Sequence, residues 1–214
     1  SFPFIVDLYY SFQTNKRLYL VTEYVSGGDL FQLMQKLSKF SGDQIKLYLA
    51  EILVSLEYLH KKNCIYRDLK PENILLQSDG HIKIIDFGLS KMFFGRSNEQ
   101  RADSICGTAE YMAPEVVYDN SYSNTVDWFS LGAIAFFFFT GYTAYNCKDN
   151  PLNHIVKKNP LYYNPKIFDK VSEDFISRLL TYNPKLRLGA NGINEIKDHP
   201  FFSGIDWNKV LSKE

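Results

Sequence analysis

Cysteine is scarce in this chain: 214 residues hold only Cys64, Cys106 and Cys147, an odd number at wide spacing. Without a CxxC pair or a Cys/His cluster there is no zinc signature and no disulfide framework, so reduced thiols in an intracellular protein are expected. Net charge is missing too. The 24 basic and 24 acidic residues cancel, which argues against a broad field for nucleic acid or for a membrane surface. No apolar run reaches the roughly 20 residues that cross a bilayer. The most apolar stretch, Trp128 to Thr140, is interrupted by Ser and Gly and reads as a buried core helix. The opening SFPFIVDLYY lacks the basic start and apolar centre of a signal peptide. Aromatic residues, by contrast, are plentiful at 16%, and the 45% hydrophobic and 22% charged shares suit an ordinary globular domain.

Along the chain, residues 5–13 and 18–24 are β-rich and read as an antiparallel hairpin turning at Thr14 to Arg17. Gly27-Gly28 breaks the pattern before a short helix beginning near Asp29. Ser41-Gly42-Asp43-Gln44 matches a capping box. Ile45, Leu49, Ile52, Leu53, Leu56 and Leu59 then recur at helical spacing to about Lys62. Ile74-Leu75-Leu76 and Ile82-Lys83-Ile84-Ile85 read as short strands around a Gln77 to Gly80 turn. A long functional loop is expected from Leu89 to Met112. Helices follow at about 114–118, 126–140, 150–158, 172–181 and 193–198, then a tail.

The chemistry is concentrated in three runs, taken in order: Tyr66-Arg67-Asp68-Leu69-Lys70-Pro71-Glu72-Asn73, Asp86-Phe87-Gly88 and Ala113-Pro114-Glu115. Each tripeptide alone is weak; all three in sequence are strong. They resemble the catalytic loop, magnesium loop and APE element of protein kinases. Phosphoryl transfer needs a positioned hydroxyl and neutralised triphosphate charge. Asp68 is suited to orient the acceptor hydroxyl and take its proton, and Lys70 to reach the transferring phosphate. Asn73 and Asp86 offer the oxygen donors that magnesium favours.

More specific runs resemble the AGC group, which includes cyclic-nucleotide-dependent, protein kinase C and ribosomal-protein kinases. Tyr66 stands where most kinases have His. Ser104 to Glu115 is similar to that group's activation segment, Pro184 to Gly189 to its late signature, and His199-Pro200-Phe201-Phe202 to the close of its core. The resemblance implies an α+β protein-kinase-like fold. Residues 1–25 would be the remnant of a β-rich small lobe with the hinge, and 26–214 a mostly helical large lobe. The latter carries the catalytic loop at 66–73, the magnesium loop at 86–88 and the activation segment at 86–115. It implies ATP and Mg2+ as cofactors, with Glu23 to Val25 meeting adenine, Thr22 guarding the pocket behind, Asp29 at the ribose and Leu75 under the base. Ser104 would be an activating phosphorylation site for an upstream kinase, its phosphate gathered by Arg67 and Lys91. Thr108 would bond the catalytic Asp and Lys, as in serine/threonine kinases. Glu115 with Arg187 and Asp127 would hold structure. Glu72 and Asp29 resemble acids that receive arginines upstream of the phosphoacceptor. The implied partners are therefore protein substrates with basic residues there, more weakly preferred than in the most arginine-selective relatives because Val156-Lys157-Lys158 stands where a further acid is often found. A cytoplasmic location is expected, with the nucleus as alternative, and neither nucleic acid nor a membrane span.

The chain also departs from the pattern. It has no GxGxxG and no upstream lysine and glutamate of the kind that hold the phosphates, and it opens without Met in structured sequence. N-terminal truncation is the expectation, with little activity in these 214 residues alone, since losing one preorganised charge contact costs about 10²–10³ in rate. The alternative is a pseudokinase or scaffold module lacking phosphotransfer.

Overall fold

A computed structural model describes residues 1–93, 102–118, 121–145 and 161–214. The expected helix at 150–158, Val156 to Lys158 and Cys147 lie outside them. The hairpin is present as β1 (Leu8–Gln13) and β2 (Leu18–Thr22), antiparallel and exposed along both strands. It is shorter at its start than the sequence suggested, because Ile5 and Val6 spend their backbone groups elsewhere: Val6 N donates to Ile84 O at 3.0 Å and Ile84 N to Phe4 O at 2.8 Å. Phe4 is thereby buried against the helical body.

Helix α1 (Leu30–Leu37) starts at Asp29, whose carboxylate accepts from Gln32 N, and ends at Ser38 in the left-handed region. Helix α2 (Gly42–Lys61) begins with the expected reciprocal capping box between Ser41 and Gln44. Two antiparallel ribbons follow. One pairs β3 (Cys64–Ile65) with β6 (Lys91–Met92), and the other pairs β4 (Ile74–Leu76) with β5 (Ile82–Ile84). β6 falls inside the stretch read as pure loop; two residues are too few to leave a period.

The short α3 (Pro114–Tyr118) leads to α4 (Thr125–Thr140). Every residue from Thr125 to Phe138 is buried. An element apolar on all sides has no solvent face to present, so it runs through the core. It packs against α2 and α5 (Lys170–Leu179); α6 (Asn194–Lys197) follows, and α7 (Trp207–Ser212) packs on α2. The expected tail is thus ordered: Asp206 caps α7, and Lys213 reaches Asp79 at 3.2 Å and Gln77 at 3.3 Å. The architecture is α+β, a mostly helical body with three small β ribbons among the described residues, as expected. Among the described residues no helix is long and apolar enough to cross a membrane.

Candidate active site

Asp127, in the first turn of α4, is completely buried. A buried carboxylate must be saturated with donors, and here three converge: Tyr66 N at 3.0 Å, Arg67 N at 2.9 Å and His60 Nε2 at 2.7 Å. The two backbone bonds hold Arg67 at φ 71, a left-handed conformation that a non-glycine residue keeps only when its surroundings insist. That turn presents the next residue, Asp68, to Lys70, Asn73 and Thr108.

Around Asp68 the hydrogen bonds close on themselves. Its Oδ1 accepts from Thr108 Oγ1 at 3.0 Å, and its Oδ2 from Lys70 Nζ and Asn73 Nδ2, both at 2.9 Å. Lys70 Nζ also donates to Thr108 Oγ1 at 2.9 Å, and Asn73 Nδ2 to the Asp68 carbonyl at 2.9 Å. Thr108, from the activation segment, therefore accepts from the lysine while donating to the aspartate. Asp68 and Asn73 are each 6% exposed, so these charge-assisted bonds are little diluted by water.

Asp86 arrives from the other strand of the same ribbon. Ile85 N donates to the Asn73 carbonyl at 2.9 Å, and Asp86 follows at φ 57 with its Oδ1 accepting from Gly88 N at 3.0 Å. The Tyr66 hydroxyl donates to Ile85 O and so ties the loop before β4 to the end of β5. Burial pushes this phenol well above its usual range, and the charges of Asp68 and Asp86 push it further. One ring thus feels both carboxylates.

Whether these residues fit a metal can be judged from their donors. The Asn73 side-chain nitrogen donates to the Asp68 carbonyl and to Asp68 Oδ2, so its amide oxygen would be the metal ligand. Asp86 is exposed with one carboxylate oxygen engaged. No group of three or more His, Cys, Asp or Glu gathers as a metal cage among the described residues. A pair of oxygen donors without a full cage suits magnesium, which retains water and phosphate ligands.

The residues expected to meet the nucleotide lie along the same ribbon. The segment after β2 pairs with β4 through Gly27 N to Leu76 O and Leu76 N to Gly28 O, both 2.9 Å, and Asp29 bridges to Leu75. A Cβ on Gly27 would come 2.2 Å from Leu76 O, so glycine is required for that approach. Glu23 and Val25 are half-buried there and Thr22 is exposed. Lys83, 5% exposed, was not singled out in the sequence; its Nζ meets Glu23 Oε1 at 2.6 Å and Ile5 O at 3.0 Å, tying β5 to the segment after β2.

Of the regulatory set, Arg67 reaches Ser104: Nη1 donates to its Oγ at 2.7 Å, while Nε donates to Leu89 O at 2.6 Å. Lys91 is not brought to Ser104; it is exposed in β6, opposite Ile65, and no hydrogen bond joins the two among the described residues. Glu72 lines an open groove of about 350 Å³ with Phe31, Thr108, Glu110, Tyr111 and Tyr142. Burial raises the Tyr111 hydroxyl, and the charges of Glu72 and Glu110 raise it further. Glu110 therefore adds a second carboxylate to the groove. In the sequence it is hidden inside a signature run, and nothing local marks it. Asp29 keeps to its capping bond with Gln32 N at 2.8 Å and does not line this groove.

The model of the protein kinase domain family matches residues 1–202. A probable serine/threonine-protein kinase of Dictyostelium discoideum is 44% identical over 216 residues, covering 100% of this chain and 46% of that protein. The serine/threonine-protein kinase gad8 of Schizosaccharomyces pombe is 45% identical, with 99% and 37% covered. Mouse ribosomal protein S6 kinase alpha-2 is 45% identical, with 99% and 29% covered. The chain thus spans less than half the length of each of these relatives.

Proposed function

The chain belongs to the protein kinase domain family, and on that premise we propose that it carries the large lobe and the hinge of an AGC-type, ATP-dependent serine/threonine protein kinase. The observation that carries this reading is the closed set of bonds among Asp68, Lys70, Asn73 and Thr108. It supports a carboxylate held ready for an incoming hydroxyl, with a cation beside it for the transferring phosphoryl.

In this reading Asp68 orients the acceptor hydroxyl and takes its proton, and Lys70 supplies a point charge at the phosphoryl oxygens. Thr108 keeps the two aligned, consistent with serine or threonine as acceptor. Asn73 and Asp86 would hold magnesium, which when bound neutralises triphosphate charge. The backbone of Glu23 to Val25 would meet adenine, Asp29 the ribose and Leu75 the face of the base. Ser104 is the activating phosphorylation site for an upstream kinase. Its phosphate, carrying about −1.5 to −2 charge, would find Arg67 already bonded to the hydroxyl it replaces, and Lys91 would be a second cation. The paired acids Glu72 and Glu110 support protein substrates with basic residues upstream of the phosphoacceptor, with Asp29 as a further acid. A cytoplasmic location, with the nucleus as alternative, goes with this reading.

The test uses the full-length protein with magnesium and ATP on serine peptides with and without upstream arginine. Asp68→Asn should lower turnover by about 10²–10⁴-fold while leaving thermal unfolding in place. Undiminished turnover would remove Asp68 as the base. Absence of magnesium-dependent turnover in the unmodified protein would instead favour a scaffold module, and indifference to arginine would remove the substrate preference.

A further inference from the structure

Tyr122 lies in the connection before α4 and is 3% exposed. Its backbone exchanges two hydrogen bonds with Ala102, each 2.8 Å. Its hydroxyl donates to the Ser104 carbonyl at 2.6 Å and accepts from Arg67 Nη1 at 3.0 Å, with the Cys106 sulfur 3.8 Å away. The same Nη1 holds Ser104 Oγ. One buried residue thus fastens the activation segment through its backbone at 102, through its ring at 104, and to the residue adjoining Asp68.

We propose that Tyr122 is a positioning residue that keeps the activation segment docked on Arg67 while Ser104 carries no phosphate. The proposal rests on the kinase reading above. Asp103, Ser104 and Ile105 are exposed, and a segment with so little burial opens at small cost unless something else ties it down. A phenol is well matched to such a tie, because its ring has only two torsions to fix and its oxygen uses one donor and one acceptor at once. The docked segment continues to Thr108, which bonds both Asp68 and Lys70, so holding residue 104 holds the catalytic set.

A phosphate on Ser104 would act through the same guanidinium. Two devices that share a partner do not add. Losing the Tyr122 hydroxyl should therefore matter most when the phosphate is absent. A residue that merely stabilised the fold would matter equally in both states.

Tyr122→Phe keeps the ring and the backbone bridge and removes only the oxygen. In the full-length protein without Ser104 phosphorylation, kcat/KM for a peptide should fall about tenfold, the size of one charge-assisted hydrogen bond. With Ser104 phosphorylated the fall should be under about threefold. The amides of residues 104–106 should exchange hydrogen faster in the unphosphorylated variant, with the melting temperature close to the parent's. Equal loss in both states, or unchanged exchange, would overturn the proposal. Should the unmodified protein show no turnover, the kinase reading fails while the exchange measurement still decides whether Tyr122 clamps the segment.

Discussion

Arg187 meets Glu115 end to end, Nη1 to Oε1 at 2.6 Å and Nη2 to Oε2 at 2.8 Å, across 72 positions of sequence. Both side chains are sealed from solvent. The guanidinium also donates to Thr181 O at 3.0 Å and Thr125 O at 2.8 Å and lies over the Phe129 ring. The sequence ascribed a structural role to this pair by resemblance, and the geometry shows why it is hard to dismantle. Arg187→Met strands a carboxylate in the interior, and the expected loss is about 3–5 kcal/mol in denaturant unfolding. Replacing Glu115 by Leu as well should restore much of it, because no unpaired charge then remains. A single variant losing under about 1 kcal/mol would mean that water reaches Glu115 after all.

Thr108 offers a test within the catalytic set itself. Thr108→Val keeps the shape but removes the hydroxyl that accepts from Lys70 and donates to Asp68. In the full-length protein kcat should fall roughly 10–100-fold with little change in the KM for ATP, since alignment rather than nucleotide contact is lost. Thr108→Ser should recover most of the rate. Wild-type kcat in the Val variant would contradict the positioning role.

Much of this is legible in the sequence. The capping box at Ser41, the ribbon around Gly80 and the largely apolar α4 follow from local patterns that tertiary packing does not override. Asp68, Lys70, Asn73 and Thr108 follow from motif identity. The resemblance also implies the bonds of Thr108 to Asp68 and Lys70, made across 40 positions; it does not give Asn73 Nδ2 on the same carboxylate, a contact that only the folded loop shows. Glu110, Tyr122 and Lys83 escape notice for a related reason. Each looks like an ordinary surface residue in its own stretch, and its significance arises only from a partner far along the chain. Lys91 is a different case: the resemblance assigns it to a phosphate on Ser104, and β6 holds its backbone against β3 with the side chain exposed.

Glu51 supplies a pH dependence. It is fully buried in α2, with Oε2 accepting from Ile82 N at 2.9 Å and Oε1 facing His81 Nδ1 at 2.5 Å. Lys213 and Tyr48 are the other titratable groups that share its field. Burial raises its carboxyl above the ordinary value of 4.5, against the opposing pull of those hydrogen bonds. Above that value the unfolded chain has released the proton while the folded chain retains it. The folded state then binds more protons, and stability falls as pH rises through the folded value. Below the ordinary value both states are protonated and the contribution is complete. Unfolding free energies of the parent and Glu51→Gln, measured from about pH 4 to about pH 8, should differ by an amount that moves against the parent as pH rises. A difference that stays flat would place Glu51 at its ordinary value.

Two glycines should respond to alanine with opposite signs. Gly132 lies in α4 where α5 crosses; an added Cβ would come 2.8 Å from Leu179 Cβ and 3.1 Å from Leu180 Cγ. Contact with a Cβ cannot be relieved by changing a rotamer, so α5 must move away from a fully packed core. Overpacking of this kind costs about 1–3 kcal/mol, while the better helix propensity of alanine returns about 1 kcal/mol. Gly132→Ala should therefore lose up to about 2 kcal/mol in unfolding measurements. Gly42, at the first position of α2, has nothing within 4 Å of the same added atom and no left-handed backbone. There the propensity gain stands unopposed, and Gly42→Ala should gain about 0.4–1 kcal/mol. Stabilisation at both positions would mean that α4 and α5 do not pack as closely as Gly132 implies.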